Sequence, residues 1–371
     1  VNFELNEDEE MLKAVVERFV ADRYDVESRR AYLNESGGFS AENWVLLAEL
    51  GVMAVPLPEE FGGLGLDATA LAVTFEALGR GIVVEPVLES AVLPALILAQ
   101  CADDGLREDW IAALVSGERR VALAHAEENA RGGSVWIETR ATASDDDFVL
   151  EGTKAYAIAG GDADAYLVTA RLSGEAGDKD GWSLFLVPAD ADGLTVRQWR
   201  IADGTWTASI ELSGVIVPAE ARVDCSHQQV VRVRALAALA RSAEALGIME
   251  AMFAETLEYL RTREQFGTPL GSFQAIQHRM ADQYAALEQA RALIELAVVK
   301  EDDDSFAHHV DGARAFIAEA SLHLGHEMIQ FHGGMGVTDE LSIGQGHKRL
   351  LVLSRWPEPA ETTLDRFAAA A

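Results

Sequence analysis

Cysteine is scarce in this chain of 371 residues: Cys101 and Cys225 are the two. They lie far apart in sequence, in no CxxC pair and in no metal-ligand spacing. A reducing, cytoplasmic setting therefore fits better than a disulfide-stapled secreted scaffold. Basic residues are also few, 30 Lys and Arg against 61 Asp and Glu, for a net charge of −31. So acidic a surface disfavours nucleic acid and anionic membrane as partners, and neither is expected. No apolar run approaches the ~18 residues that a spanning helix requires. The opening Val1-Asn2-Phe3-Glu4 lacks the basic and apolar regions of a signal peptide. There is no internal repeat.

What is present is a helical, then β-rich, then helical texture, with room for two or three domains. Residues 1–118 read as a helical domain. Asn6 followed by Glu9 is a capping-box pattern. Met11, Leu12, Val15, Val16, Phe19 and Val20 then share one face at 3.6-residue spacing. Trp44, Leu46, Leu47 and Leu50 suggest a second helix, and Leu71–Leu78 and Val87–Leu98 two more. The proline- and glycine-rich stretch Gly51–Gly65 reads as a loop.

Residues 119–224 read as a β domain, an antiparallel barrel or sandwich. Its candidate strands are Val121–Ala124, Val135–Thr139, Phe148–Leu150, Ala165–Ala170, Trp182–Val187, Leu194–Trp199 and Ala208–Leu212. Residues 225–371 return to helix. One long helix is predicted over 235–262, which has no proline. Others are predicted over Phe273–Val299 and Phe306–Phe331, the last stopped by Gly333-Gly334. The acidic run Glu301–Asp304 reads as a solvated turn, and Trp356-Pro357-Glu358-Pro359 interrupts any helix there.

Three motifs carry a resemblance. Pro58-Glu59-Glu60-Phe61-Gly62-Gly63 lies in the N-terminal loop. Arg263-Glu264-Gln265-Phe266-Gly267-Thr268-Pro269-Leu270-Gly271-Ser272-Phe273-Gln274 follows the long helix, and Gln330-Phe331-His332-Gly333-Gly334-Met335-Gly336-Val337-Thr338 follows the third. In order, distance and texture these resemble the acyl-CoA dehydrogenase family over essentially the whole chain. The resemblance implies an α+β multidomain fold: N-terminal helical domain, central β domain, C-terminal four-helix bundle, usually in a tetramer. It implies FAD as cofactor, an acyl-CoA thioester as substrate and electron-transfer flavoprotein as acceptor. By the same resemblance Arg263 pairs with the FAD diphosphate of an adjacent subunit, with Gln265 and Phe266 beside it. Gln274 lies towards the adenine, and Gln330, Gly333 and Gly334 bring backbone to phosphate and ribose. The chemistry agrees: a guanidinium forks onto a diphosphate, and paired glycines admit an anion to the backbone. The family's Lys-x-Trp-Ile-Thr run becomes Lys154-Ala155-Tyr156-Ala157-Ile158. Tyr156 keeps an aromatic wall for the flavin, and Ile158 loses a hydroxyl.

In this family a glutamate removes the substrate α-proton while hydride leaves the β-carbon for the flavin. Ungapped counting from Gly336 puts Pro357 at the first position known to hold that glutamate. Counting back from Arg263 puts Ala237 at the second, with Ala238 where the family usually has an arginine. Glu358 is one residue late. The family's Thr-Glu-Pro-Gly-x-Gly-Ser-Asp run is replaced by His125-Ala126-Glu127-Glu128-Asn129-Ala130-Arg131-Gly132-Gly133. The pattern resembles the small subunit of heteromeric members, of the pimeloyl-CoA dehydrogenase type, in which a homologous large subunit in a heterotetramer supplies the glutamate. The alternatives are a self-sufficient homotetramer that uses Glu358 as its base, and a non-enzymatic homologue with a scaffolding role. His323, His326 and Glu327 lack a further ligand at metal spacing and read as helix-face residues, so no metal is expected.

Overall fold

A computed structural model describes residues 5–101, 103–130 and 136–370. Six helices come first: α1 (Glu7–Arg23), α2 (Val26–Leu33), α3 (Ala41–Glu49), α4 (Ala68–Arg80), α5 (Leu93–Cys101) and α6 (Asp104–Val115). Eight strands follow: β1 (Val121–Ala124), β2 (Arg140–Ser144), β3 (Asp147–Ile158), β4 (Ala165–Arg171), β5 (Trp182–Pro188), β6 (Leu194–Arg200), β7 (Trp206–Pro218) and β8 (Arg222–Val223). The remainder is α7 (His227–Thr262), a hairpin of β9 (Glu264–Gln265) and β10 (Thr268–Pro269), then α8 (Gln274–Val299), α9 (Phe306–His332), α10 (Ser342–Arg355) and α11 (Ala360–Ala369). Two compact units result. One comprises residues 1–31, 67–83 and 238–371; the other comprises 32–66 and 84–237.

In the second unit the eight strands form one sheet, ordered β6-β7-β3-β2-β4-β5-β8, with β1 beside β4. The pairings are antiparallel except β1–β4 and β2–β4, which are parallel. Leu150, Tyr166, Phe185, Val187, Ile210 and Val215 build its core. The expected strand over Val135–Thr139 does not form in its described part, residues 136–139. Its backbone is taken by side chains instead. The Glu127 carboxylate accepts the amides of Glu138 (2.5 Å) and Thr139 (3.0 Å), and Arg171 donates to the Ile137 carbonyl at 3.1 Å. The ladder begins at Arg140. Val135, and Arg131 to Gly133 of the altered run, lie outside the described residues.

The expected helix over Val87–Leu98 opens as a π turn at Leu88–Val92 before α5. Pro94 has no N–H for an ordinary helical bond, and Leu93 donates to Leu88, five residues back. Cys101 and Cys225 correct the cysteine reading: their Cα atoms are 4.9 Å apart and they are joined as a disulfide. The cytoplasmic expectation loses the support it drew from cysteine usage. No helix among the described residues is long and apolar enough to cross a membrane.

In the first unit the Asn6–Glu9 capping box forms, with reciprocal bonds of 2.7 and 3.0 Å. Glu301, expected to be merely solvated, caps α4 by accepting the Ala68 amide at 2.6 Å. Helices α4 and α7 meet closely at two glycines: a Cβ on Gly79 would lie 2.2 Å from the Glu244 carbonyl oxygen, and one on Gly247 1.9 Å from that of Glu76. Arg80 ties the crossing, paired to Glu17, to Glu76 (2.5 Å) and to Glu250 (2.7 Å). α9 packs against α8, α10 and α11.

The segment carrying the altered run is held by a buried ion pair. Lys154 Nζ donates to Glu127 Oε1 at 2.5 Å and to Thr169 Oγ1 at 3.0 Å. Burial pushes the Lys154 ammonium down to about 8 despite its counter-charge. Glu127 also accepts the Thr139 hydroxyl at 2.7 Å. Replacing Glu127 by Leu strands a buried ammonium and three other donors. Replacing Lys154 by Met leaves a carboxylate with three donors still on it. Glu127→Leu is therefore predicted to cost about 3–5 kcal/mol in urea unfolding, and Lys154→Met clearly less. Equal losses, or the reverse order, would contradict this account of the segment.

Candidate cofactor site

Arg263 ends α7, its amide donating to the Tyr259 carbonyl at 2.8 Å. The chain then turns back as the β9–β10 hairpin, with Gln265 paired to Thr268 and Glu264 to Pro269. The turn residues Phe266 (φ 57°) and Gly267 (φ 81°) are both left-handed, as a two-residue turn of the primed type requires. For Phe266 that conformation costs roughly 1–2 kcal/mol. Its ring is nonetheless 93% exposed, with Phe273 edge-on at 6.2 Å. Arg263 and Gln265 are exposed too, and Gln265 donates to the Glu264 carbonyl at 2.8 Å. The Arg263 guanidinium has no partner among the described residues. Gln274 stands exposed at the first position of α8. An arginine and a strained aromatic held out at a hairpin suit contact with something other than this fold's own core.

The second motif sits in the same unit. α9 ends where Gly333 adopts φ 63°, ψ −138°, a conformation open only to glycine. A Cβ on Gly333 or Gly334 would meet nothing within 4 Å. The conformation accounts for Gly333, but nothing in self-packing accounts for Gly334; their bare backbone faces open space beside the exposed Gln330. His332, next to them, is only 5% exposed. Its Nε2 is 3.2 Å from Thr256 Oγ1, and its ring stacks on Tyr259 at 4.2 Å. Burial lowers its pKa below the usual imidazole value, against the pull of Glu255. Thr256 and Tyr259, unremarked in the sequence, lie seven and four residues before Arg263 on α7, a spacing that could have flagged them. An exposed arginine, a glycine turn without a Cβ and a buried neutral imidazole fit the anionic diphosphate of a dinucleotide.

Tyr156 lies in the other unit, on β3. It is 46% exposed and meets Trp199 edge-to-face at 5.9 Å. Trp199 was not singled out from the sequence. Of the positions expected to hold a base, Ala237 and Ala238 are buried in α7, and Pro357 is exposed after a cis bond to Trp356. Glu358 is buried, its carboxylate held by two Arg366 N–H groups, one at 2.6 Å. Arg366 also donates to both Asp311 oxygens, at 3.1 and 3.3 Å. Burial alone would lower the Arg366 pKa, but Glu358 and Asp311 outweigh it and raise it. Arg314, pushed down to about 10 by burial and by Arg241, donates to the Trp356 carbonyl at 3.0 Å. Glu327, in the histidine-bearing stretch, pairs with Arg279 at 2.6 Å, and no metal-holding group occurs among the described residues.

Helical and β units with this pair of anion-facing motifs define a flavoprotein dehydrogenase fold, and comparison with known proteins agrees. The N-terminal, middle and C-terminal domains of acyl-CoA dehydrogenase match residues 6–118, 122–215 and 234–370. The chain is 32% identical over 308 residues to the acyl-CoA dehydrogenase FadE27 of Mycobacterium tuberculosis, covering 81% of this chain and 79% of that one. It superposes on a chain of the ChsE4-ChsE5 complex from M. tuberculosis with a TM-score of 0.90 at 29% identity, covering 100% and 98% of the two chains. With the steroid acyl-CoA dehydrogenase variant Tcur3481-Tcur3483 the TM-score is 0.88 at 28% identity, covering 98% and 97%. The chain belongs to the acyl-CoA dehydrogenase family, FAD-dependent oxidoreductases acting on the CH–CH bonds of acyl-CoA thioesters and typically tetrameric.

Gly334→Val fills open space, so its melting temperature should match the parent's while its FAD dissociation constant rises by at least about tenfold in a fluorescence titration. Unchanged affinity would remove Gly334 from the cofactor site. His332 gives a pH signature. The fold prefers its neutral form, so the stability it contributes is full above pH 6.5 and is lost as pH falls. The parent's melting temperature should drop more steeply below pH 6.5 than that of His332→Phe. Parallel curves would show that His332 does not titrate this way.

Proposed function

We propose that this chain is the small, partner-dependent subunit of a heteromeric acyl-CoA dehydrogenase that introduces a 2,3-double bond into an acyl-CoA thioester. The observation that carries the proposal is the state of the base positions: Ala237 and Pro357 have no carboxylate, and Glu358 is engaged by Arg366. A carboxylate whose two oxygens are engaged in a buried ion pair is not free to reach a substrate. The homologous large subunit then supplies the glutamate. On this reading Arg263, Gln265, Phe266 and Gln274, with Gln330, Gly333 and Gly334, hold the diphosphate and adenine side of the partner's FAD, and Tyr156 keeps its wall for a flavin ring. Bound FAD supplies the hydride acceptor. Electron-transfer flavoprotein is the proposed oxidant for the reduced assembly. That two of the similar structures are of two-protein systems, ChsE4-ChsE5 and Tcur3481-Tcur3483, supports a heteromer.

A self-sufficient homotetramer has one observation in its favour. Glu358 is a buried acid one residue from the expected base position. The two readings separate on purification with and without the homologue encoded in the neighbouring reading frame. The proposal expects the chain alone to be flavin-poor and inactive, and the co-expressed pair to carry FAD and turn over acyl-CoA. Full flavin occupancy and turnover by the chain alone would overturn it. No flavin and no turnover in either preparation would favour a scaffolding role.

A further inference from the structure

We infer that His332 is a positioning residue that sets the Gly333-Gly334 turn against Arg263, so that the two motifs address one diphosphate; this rests on reading them as FAD-binding. The link is physical and lies in one unit. His332 immediately precedes the glycine turn, and its imidazole is gripped from α7 by Thr256 Oγ1 at 3.2 Å and by the Tyr259 ring at 4.2 Å. Tyr259 is also the residue whose carbonyl accepts the Arg263 amide, at 2.8 Å. One turn of α7 thus fixes both the origin of the arginine and the origin of the turn. The far end of the loop is anchored to the same stretch of helix: Ser342, the first residue of α10, donates to the Glu255 carboxylate.

The choice of histidine points the same way. The ring is 5% exposed, yet its Nδ1 has no hydrogen-bond partner among the described residues. A buried nitrogen left unpaired is costly. Phenylalanine would stack on Tyr259 without that cost. What phenylalanine cannot do is bond Thr256, and that bond selects the ring orientation and tethers the residue entering Gly333 to α7. Tyr259 stacking alone holds the ring plane but leaves open the half-turn about Cβ–Cγ that exchanges the ring's two edges. The tether therefore acts on the geometry of the anion-facing turn rather than on packing.

The test is the FAD dissociation constant in the assembly that retains flavin with the parent sequence, read beside the urea midpoint of each variant. Arg263→Gln reports on the underlying reading and should weaken FAD by at least about tenfold. His332→Phe and Thr256→Val should each weaken it by about threefold to tenfold, the loss of one neutral hydrogen bond. Because both remove the same contact, the double variant should be no weaker than the worse single one. His332→Gln, whose amide can reach Thr256, should recover part of the affinity lost in His332→Phe. If Arg263→Gln weakens FAD while His332→Phe and Thr256→Val lower only the urea midpoint, the inference is overturned and the cofactor reading stands. Additive losses in the double variant also overturn it. If Arg263→Gln leaves FAD binding unchanged, the cofactor reading itself fails and the inference with it.

Discussion

Arg366 reaches from α11 to two carboxylates, Asp311 on α9 and Glu358 in the break between α10 and α11. Glu358 is 7% exposed and Asp311 5%. Removing Arg366 would take away a shared ion-pair partner from two buried carboxylates, a costly loss. The pairing therefore fixes where the C-terminal segment lies. It also fixes what the segment can do. Glu358, one residue from the expected base position, is engaged in holding the fold together. Arg314 holds the preceding backbone through the Trp356 carbonyl, so the whole break is fixed.

The motifs facing outward show the opposite economy. Arg263, Gln265, Phe266 and the Gly333-Gly334 turn are kept exposed, one of them in a left-handed conformation that its side chain disfavours. Gly333 is required by its own backbone conformation; among the described residues no packing contact requires the other choices. These residues present donors and open backbone outward, while Ala237 and Pro357 carry no carboxylate and Glu358 is engaged by Arg366. The proposed division of labour between two chains would account for both halves of that pattern.

Much of the fold was legible because periodicity reports burial. The long helices over 235–262, 273–299 and 306–331 lie within one or two residues of, or inside, α7, α8 and α9, and β1 and β4–β6 fall close to their predicted runs. Four helices, α2, α6, α10 and α11, were not foreseen. α2 buries a single residue, Arg29, and α11 only Thr363, so neither contributes a buried apolar run to read. The strand expected at Val135–Thr139 failed in its described part because Glu127 and Arg171 take its backbone groups, a competition no local pattern reveals. The disulfide was missed because Cys101 and Cys225 are 124 residues apart and meet only through the fold. At the site, the motif residues were legible as a family pattern. Their coupling through Thr256, Tyr259 and His332, and the ion pairing of Glu358, were not, since each depends on which helix faces come together.

The most direct test of the central claim is turnover by the FAD-loaded assembly carrying Glu358→Gln. The account predicts acyl-CoA dehydrogenation within about twofold of the parent, with a lowered melting temperature from the broken ion pair. A loss of roughly 10²-fold or more, the scale of a missing general base, would show that Glu358 is the catalytic carboxylate after all.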